Sequence, residues 1–465
     1  EVAATISLTL LLSPRLGVLR SDQKQREPND EQTSFVFPGQ GSQSVGMLAD
    51  LANAFPLVGE TFAEASAALG FDLWRLVQGG PAEALNLTHN TQPAMLAAGV
   101  AVWRVWAKEG GGAPDYLAGH SLGEYTALVA GGAIDFADAV RLVAERGRLM
   151  QSAVPEGAGA MAAILGLDDD QVRAACAQAA SGDVVEAVNF NSPGQVVIAG
   201  HADAVARAME AAKAAGAKRA LPLPVSVPSH CALMRPAAEQ LAQRLASVAI
   251  RVPQIPVLHN VDVGFAATAD EVRDRLARQL HCPVRWVETV RRLAAEGTTL
   301  IVEAGPGKVL AGLNKRIDKD LESVAVYDPA SLAAALESSL LENEIALVTG
   351  ASRGIGAAIA QALAEQGAFV VGTATTATGA DAIGRRLAEL GLRGKGMVLD
   401  VADAASVEGV VKAITEEVGT ITILVNNAGI TRDTLLLRMK PEDWEDVIRT
   451  NLTGAFRCTQ AALSR

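Results

Sequence analysis

The sequence predicts an α/β protein built from consecutive domains, and three observations predict it. A serine lies between two glycines, at Gly119-His120-Ser121-Leu122-Gly123, between a short apolar segment and a helical one. Residues 161–225 are predicted to form, in order, a strand, a helix, two strands, a helix and a strand. A second glycine-rich turn follows an apolar segment at residues 344–349. A length of 465 residues allows roughly two to four domains.

The composition narrows the class of protein. Hydrophobic residues make up 49% of the chain and aromatic residues 4%, which is typical of a soluble α/β protein with large cores. The formal charge of −12 argues against nucleic acid or an anionic membrane as the main partner. The four cysteines are scattered without paired spacing, so we expect no disulfide framework, no metal site and a reducing, cytoplasmic location.

The first residues differ from the rest of the chain. An apolar run at residues 2–12 is too short to span a bilayer, and residues 21–33 are strongly polar. We expect a non-native or disordered leader over residues 1–33. A signal or transit peptide is the alternative.

The first large domain is expected at residues 34–330. It opens with a strand at 34–37, and residues 91–108 have the apolar spacing of a helix that packs on a sheet. The strand and helix order of residues 161–225 predicts a ferredoxin-like subdomain inserted at about 157–226. We therefore expect a cleft between this insert and a mainly parallel sheet.

The glycine-flanked serine predicts acyl-transfer chemistry. A Gly-x-Ser-x-Gly turn between a strand and a helix strains the backbone so that the Ser121 hydroxyl stands clear. The next amide and the helix N-terminus then point at a developing oxyanion. The alternative is a serine in an ordinary loop.

A histidine would complete this chemistry. A serine hydroxyl needs a base, and His230, just beyond the insert, is the best candidate among the six histidines. A structural histidine is the alternative.

Several separated motifs, in order, resemble those of the malonyl-CoA:acyl carrier protein transacylase family. They are Pro38-Gly39-Gln40-Gly41-Ser42-Gln43, Gly119-His120-Ser121-Leu122-Gly123-Glu124, Glu145-Arg146-Gly147, Asn189-x-Asn191-Ser192-Pro193 and Pro228-Ser229-His230. The resemblance covers about three hundred residues and implies an α/β-hydrolase-like core. It also implies that Ser121 carries the malonyl ester and that the amides of Gln40 and Leu122 form the oxyanion hole. The main-chain carbonyl near Gln279 would orient His230 in place of a carboxylate. The resemblance further implies that Arg146, in the helix predicted for residues 137–150, binds the malonyl carboxylate with its guanidinium. A solvated surface arginine is the alternative.

The resemblance implies transfer of a malonyl group from malonyl-CoA to the phosphopantetheine thiol of acyl carrier protein, with no cofactor. The carrier is expected to be acidic, so the basic residues Arg291, Arg292, Lys315 and Arg316 are candidates to meet it, or they are simply solvated. The alternative activity is a serine hydrolase or thioesterase in which Asp135, Asp138 or Asp203 completes a triad. A third hypothesis is a non-catalytic module that binds carrier protein.

A linker at residues 331–342 is expected to join a second domain at 343–465. Strands at 344–349, 369–374, 396–401 and 421–425 alternate with helices, which predicts a Rossmann fold truncated after four strands, with an open sheet edge. The turn Gly350-Ala351-Ser352-Arg353-Gly354-Ile355-Gly356 has the spacing that a dinucleotide pyrophosphate requires.

With Asn426-Asn427-Ala428-Gly429 and Asn451, this half resembles the short-chain dehydrogenase/reductase family, most closely 3-oxoacyl-acyl carrier protein reductase. The resemblance implies a cofactor site, with Asp400 meeting the adenine, formed by Gly350, Ser352, Arg353, Gly354, Ile355, Gly356, Asp400 and Asn427. Arg353 and the lack of acidic residues at 373–376 favour NADP. The family needs a Tyr-x-x-x-Lys pair, but the three tyrosines are Tyr116, Tyr125 and Tyr327. We therefore predict an inactive reductase half.

Overall fold

The computed structural model describes residues 7–9, 32–225, 227–339, 341 and 344–464. The strands, in chain order, are β1 Ser7–Thr9, β2 Gln32–Phe37, β3 Tyr116–Gly119, β4 Gly159–Leu165, β5 Val185–Ser192, β6 Gln195–His201, β7 Arg219–Pro222, β8 Val257–Leu258, β9 Thr298–Ala304, β10 Glu322–Val326, β11 Ile345–Val348, β12 Phe369–Ala374, β13 Gly394–Val398 and β14 Ile423–Asn426. The α-helices are α1 Ala49–Ala54, α2 Pro56–Leu69, α3 Leu73–Gly79, α4 Ala82–Leu85, α5 Thr88–Lys108, α6 Gly123–Ala130, α7 Phe136–Ser152, α8 Asp169–Ala180, α9 Ala202–Ala214, α10 Arg235–Ala246, α11 Ala269–Gln279, α12 Trp286–Ala295, α13 Val309–Ile317, α14 Pro329–Ser339, α15 Gly354–Glu365, α16 Ala377–Glu389, α17 Ala404–Glu417, α18 Pro441–Ile448 and α19 Gly454–Leu463.

The described residues form two compact units, a large unit within residues 31–335 and a small unit within residues 1–30 and 336–465. The core of the large unit is a five-stranded sheet in the order β10-β9-β2-β3-β8, with every pair parallel. Its central strand β2 ends in an apolar run, and Phe35, Val36 and Phe37 are fully buried. Such a run is typical of a parallel strand covered on both faces.

The insert is the ferredoxin-like subdomain that the sequence predicted. Its four strands are antiparallel in the order β5-β6-β4-β7. One face packs with α8 and α9 around Val172, Cys176 and Val205. The other face carries Met161 and Val188, which pack with Cys231. The insert therefore packs against the segment that carries His230.

The small unit contains four parallel strands in the order β14-β11-β12-β13, the first half of a Rossmann sheet. Its third strand is Gly394–Val398 rather than the predicted 396–401. The strand ends early because the carboxylate of Asp400 accepts a hydrogen bond from the Ala402 amide at 2.9 Å and turns the chain.

Two predictions differ from the structure: part of the expected leader forms strands, and one edge of the small sheet is covered. Residues 7–9 form β1, which pairs antiparallel with β14, Ser7 opposite Asn426 and Thr9 opposite Leu424. An unpaired strand edge offers free main-chain donors and acceptors, so a short extended segment can add to it. Gln32 and Thr33 belong to β2. The remaining leader residues, 1–6 and 10–31, lie outside the described part of the chain. None of the described helices is both long and apolar enough to cross a membrane.

Candidate active site

The Ser121 turn joins β3 to α6, and both flanking glycines are required by close approach. A Cβ on Gly119 would lie 1.9 Å from the carbonyl carbon of Gly123, and one on Gly123 would lie 2.0 Å from the Phe37 carbonyl oxygen. Ser121 itself has a φ of 52°, a left-handed conformation that costs a non-glycine residue about 1 kcal/mol or more. The turn is therefore strained and tightly packed, as a nucleophile turn requires.

His230 meets Ser121 in hydrogen-bond geometry. The Ser121 Oγ lies 2.7 Å from His230 Nε2, and His230 Nδ1 donates to the main-chain oxygen of Gln279 at 2.7 Å. Because a carbonyl oxygen only accepts, this bond places the proton on Nδ1 and leaves the Nε2 lone pair for the serine. Burial, and next the charge of Arg146, lowers the pKa of His230 to about 3. The imidazole is therefore neutral near pH 7 and can act as a base.

The aspartates of the alternative triad lie elsewhere. Asp135 pairs with Arg251 at 2.5 Å, and Asp138 is near Arg141 at 3.7 Å. Asp203 lies in the first turn of α9. Within the described residues none of the three bonds to His230, whose Nδ1 is already occupied by a main-chain carbonyl. The arrangement is a serine–histidine dyad.

Arg146 is buried, unlike its neighbours in α7. It is 1% exposed, whereas the side chains of Arg141 and Arg148 are 44% and 60% exposed and lie near acidic residues of the same helix. Its Cζ atom lies 5.3 Å from the centroid of the Tyr125 ring. The surface-arginine alternative therefore does not describe this side chain.

The Arg146 guanidinium is held by neutral amides. Nη1 donates to Gln92 Oε1 at 2.8 Å, and Nη2 donates to Gln279 Oε1 at 3.0 Å and approaches Ser121 Oγ at 3.5 Å. Burial lowers the arginine pKa from its ordinary value. Among the described residues, no carboxylate lies within ion-pair distance of it. A desolvated cation beside the nucleophile, bonded to neutral groups and not directly to a carboxylate, is suited to bind an anionic group of a ligand.

Two amides remain free to stabilise an oxyanion. The Ser121 amide is engaged, because it donates to Asn260 Oδ1 at 2.8 Å. In the described part of the chain, the amides of Gln40 and Leu122 donate to no protein acceptor. Both residues line the same cavity as Ser121 and His230. The geometry therefore allows the oxyanion hole that the resemblance implied.

This cavity has a volume of about 490 Å³ and lies between the core and the insert, as the sequence predicted. The core contributes the dyad, Arg146 and Met150 to its wall. The insert contributes Met161 and Asn189. This volume is in the range of small-molecule sites.

Sequence reasoning missed a buried polar network behind the serine. Glu124, His259 and Asn260 are fully buried, and His259 Nδ1 donates to Glu124 Oε1 at 2.6 Å. His120 points away from the dyad and bonds through Nε2 to Asn191 Oδ1 at 2.8 Å. The available signal was a charged residue directly after the serine turn and a polar pair directly after an apolar strand.

The glycine turn of the small unit is tight and closely packed. Gly350 and Gly354 have left-handed φ values of 67° and 58°, and a Cβ on Gly356 would lie 2.3 Å from the Asn427 side chain. Asn427 Nδ2 donates to the carbonyls of Thr349 and Gly350, each at 3.0 Å. The side of the turn formed by Ser352, Arg353 and Ile355 is exposed, as is Asp400. The first turn of α15 is therefore open to an anion.

Other candidates are less informative. Of the four basic residues considered for carrier binding, Arg292 pairs with Glu296 and Arg316 donates to Gln195. Asn451 lies in a π-helical turn and bonds to both main-chain groups of Ile430. In the described part of the chain, no group of three or more potential ligands could hold a metal ion.

The fold and the dyad define an acyltransferase, and the profile of the "Acyl transferase domain" family matches residues 34–338. The chain belongs to the malonyl CoA-acyl carrier protein transacylase family. It is 63% identical to the transacylase of Escherichia coli over 306 residues, which cover 66% of this chain and 99% of that protein. The transacylase of Bacillus subtilis is 45% identical over 312 residues, 67% and 98% of the two chains.

Solved structures agree with this assignment. A complex of a type II PKS acyl carrier protein with its malonyl-transacylase has a TM-score of 0.66 and 60% identity over 66% of this chain and all of that one. An acyl carrier protein S-malonyltransferase of Vibrio cholerae has a TM-score of 0.64 and 62% identity over 65% and 99%. Residues 344–465 match the short chain dehydrogenase profile, so the small unit is a Rossmann-type domain of that family.

Proposed function

We propose that the large unit transfers a malonyl group from malonyl-CoA to the phosphopantetheine thiol of acyl carrier protein, in fatty acid biosynthesis. One observation carries the choice of substrate. Arg146 is a buried cation whose bonded partners are the neutral amides of Gln92 and Gln279, 3.5 Å from Ser121 Oγ. The free carboxylate of a malonyl thioester supplies a directly bonded counter-charge at the distance where its carbonyl meets the serine.

The first half-reaction acylates the serine. His230 Nε2 takes the Ser121 hydroxyl proton as Oγ attacks the thioester carbonyl carbon. The resulting oxyanion is bound by the amides of Gln40 and Leu122. When the tetrahedral intermediate collapses, the carbon–sulfur bond breaks and the imidazolium gives its proton to the departing CoA sulfur. The product is a malonyl ester on Ser121.

The second half-reaction is the reverse process with a different thiol. His230 takes the proton of the carrier's phosphopantetheine thiol, and the sulfur attacks the malonyl ester carbon. The carbon–oxygen bond then breaks and Ser121 recovers its proton from the imidazolium. Arg146 holds the carboxylate through both steps, which keeps the reacting carbonyl in one position.

The test is mass spectrometry of the intact protein after brief exposure to malonyl-CoA, followed by peptide mapping. We expect the mass of one malonyl group on the peptide that contains Ser121. The adduct should persist in buffer and disappear when holo-acyl carrier protein is added. Ser121→Ala should give no adduct, and His230→Ala should form it only very slowly. An adduct that hydrolyses rapidly without carrier would indicate a hydrolase instead.

For the small unit we propose NADP binding without reduction. The open turn of Ser352, Arg353, Gly354 and Ile355 at the start of α15 would hold the phosphates, and Gly350, Gly356 and Asn427 keep that turn in shape. Asp400 would meet the adenine, and Arg353 would favour a 2′-phosphate. A bound NADPH would supply hydride. Residues 344–465 contain no tyrosine to protonate a carbonyl, so this chain lacks that acid.

A further inference from the structure

A buried cluster lies behind the nucleophile and takes no part in the steps above. Its members are Glu124, His259 and Asn260, each with no exposed surface. We propose that Asn260 is a positioning residue that clamps the Ser121 turn in its reactive conformation, with Glu124 as its anchor. This inference rests on the proposed acyl transfer and adds a residue on which its rate depends.

The Asn260 side chain bridges the two sides of the serine turn. Its Oδ1 accepts a hydrogen bond from the Ser121 amide at 2.8 Å, and its Nδ2 donates to the Gly119 carbonyl at 2.7 Å. Both polar atoms of the side-chain amide therefore bond to main-chain groups, one on either side of His120. Glutamine is the other residue with a side-chain amide, and it is longer.

The Ser121 turn needs such a clamp because its backbone is strained. Ser121 has a φ of 52°, and a residue other than glycine persists there only when its surroundings hold it. The bond from Asn260 also occupies the Ser121 amide. With that amide engaged, the Leu122 amide is the donor left free beside the reacting carbon, so the clamp also fixes which amide meets the oxyanion.

Glu124 anchors the clamp and connects it to the rest of the site. Its Oε2 accepts hydrogen bonds from the main-chain amide of Asn260 at 2.9 Å and from Gln279 Nε2 at 3.0 Å. Gln279 Nε2 also donates to the Ser121 carbonyl at 2.8 Å. Thus Glu124 and Asn260 fix the main chain of Ser121 on both its amide and its carbonyl side, through partners that are themselves buried.

The experiment compares Asn260→Ala with a matched control, Asn314→Ala. Asn314 is an equally buried amide of the same unit, which bridges Trp286 Nε1 at 3.1 Å and Ser323 Oγ at 3.2 Å. Each variant loses two side-chain hydrogen bonds, so both should melt at a lower temperature. Single-turnover formation of malonyl-Ser121, corrected for the folded fraction, should fall at least about tenfold for Asn260→Ala only. The malonyl-CoA concentration that half-saturates this single-turnover rate should stay within about threefold, because Asn260 holds the turn rather than the substrate.

Asn260→Asp supplies a readout that a purely structural role would not change. A protonated carboxyl group can accept from the Ser121 amide and donate to the Gly119 carbonyl, as the amide does, whereas an ionised one can only accept. Burial beside Glu124, which is bonded to His259, raises the pKa of the introduced group. The acylation rate of Asn260→Asp, relative to that of the unchanged protein, should therefore rise as the pH falls from about 8 to about 5.

Each outcome decides the proposal. The clamp is supported if acylation is slow in Asn260→Ala and unimpaired in Asn314→Ala, and if the relative rate of Asn260→Asp rises as the pH falls. Equal acylation rates for the two alanine variants, or an Asn260→Asp profile parallel to that of the unchanged protein, overturn it. If Asn260→Ala does not fold, the Asn260→Asp profile decides alone. Failure of the unchanged protein to form malonyl-Ser121 would instead overturn the proposed function.

Discussion

His230 and Gln279 are joined by a hydrogen bond from the imidazole Nδ1 to the main-chain oxygen, at 2.7 Å. A neutral carbonyl orients the ring as a carboxylate would, but it adds no negative charge to stabilise an imidazolium. The imidazole therefore stays neutral over a wide pH range, and burial together with Arg146 lowers its pKa to about 3.

This shift predicts how acylation depends on pH. The base is active above its folded pKa, so the single-turnover rate of malonyl-Ser121 formation should be level between about pH 5 and about pH 8. A group whose folded pKa lies below its unfolded value of 6.5 contributes stability that is present above 6.5 and is lost as the pH falls through the folded value of about 3. Because the folded protein loses stability at low pH, acylation rates there should be measured after brief pH jumps. An acid limb with its midpoint near 6.5 would contradict the neutral dyad.

Arg146 should determine the preference for a diacid thioester. Arg146→Ala should remove about 2 to 5 kcal/mol of the preference for malonyl-CoA over acetyl-CoA, the range for breaking a buried charge pair. The measurement is kcat/KM for both donors. Arg148→Ala is the control, because Arg148 lies on the same helix with a side chain that is 60% exposed. Equal losses for malonyl-CoA and acetyl-CoA would exclude this role.

The packing around the serine turn predicts that it tolerates no side chain at Gly123. In Gly123→Ala the new Cβ would lie 2.0 Å from the Phe37 carbonyl oxygen, so β2 or α6 must move. We expect a loss of about 3 kcal/mol or more in the free energy of unfolding, measured by denaturant titration. Gly59→Ala is the control, since a Cβ there would meet nothing within 4 Å. Equal stability of the two variants would show that the turn can relax.

Residues inside chemically distinctive motifs could be predicted from the sequence. Ser121 is marked by its two glycines, and the ferredoxin-like insert by its order of strands and helices. Asn260 could not be predicted in this way. It lies 139 residues from Ser121 and reaches it only because β8 is the neighbour of β3 in the sheet. Sheet order depends on packing of the whole unit, which local periodicity does not reveal.

The same limit explains the first strand. Residues 7–9 have no signal that distinguishes them from the polar and apolar leader around them. Their pairing partner is β14, more than four hundred residues later in the chain. The open edge of the sheet could be predicted from the number of strands, but the segment that covers it could not.

The small unit should bind NADPH without using it. We expect NADPH fluorescence to change on titration with the protein and the change to weaken in Arg353→Ala, because the lost guanidinium no longer meets the 2′-phosphate. Oxidation of NADPH with an acetoacetyl thioester should stay at the level of a reaction without protein, since a carbonyl has no phenol to protonate it. Arg385→Ala, on α16, is the control for the loss of one positive charge. Steady NADPH consumption that requires both the protein and the acetoacetyl thioester would show that another residue supplies the proton.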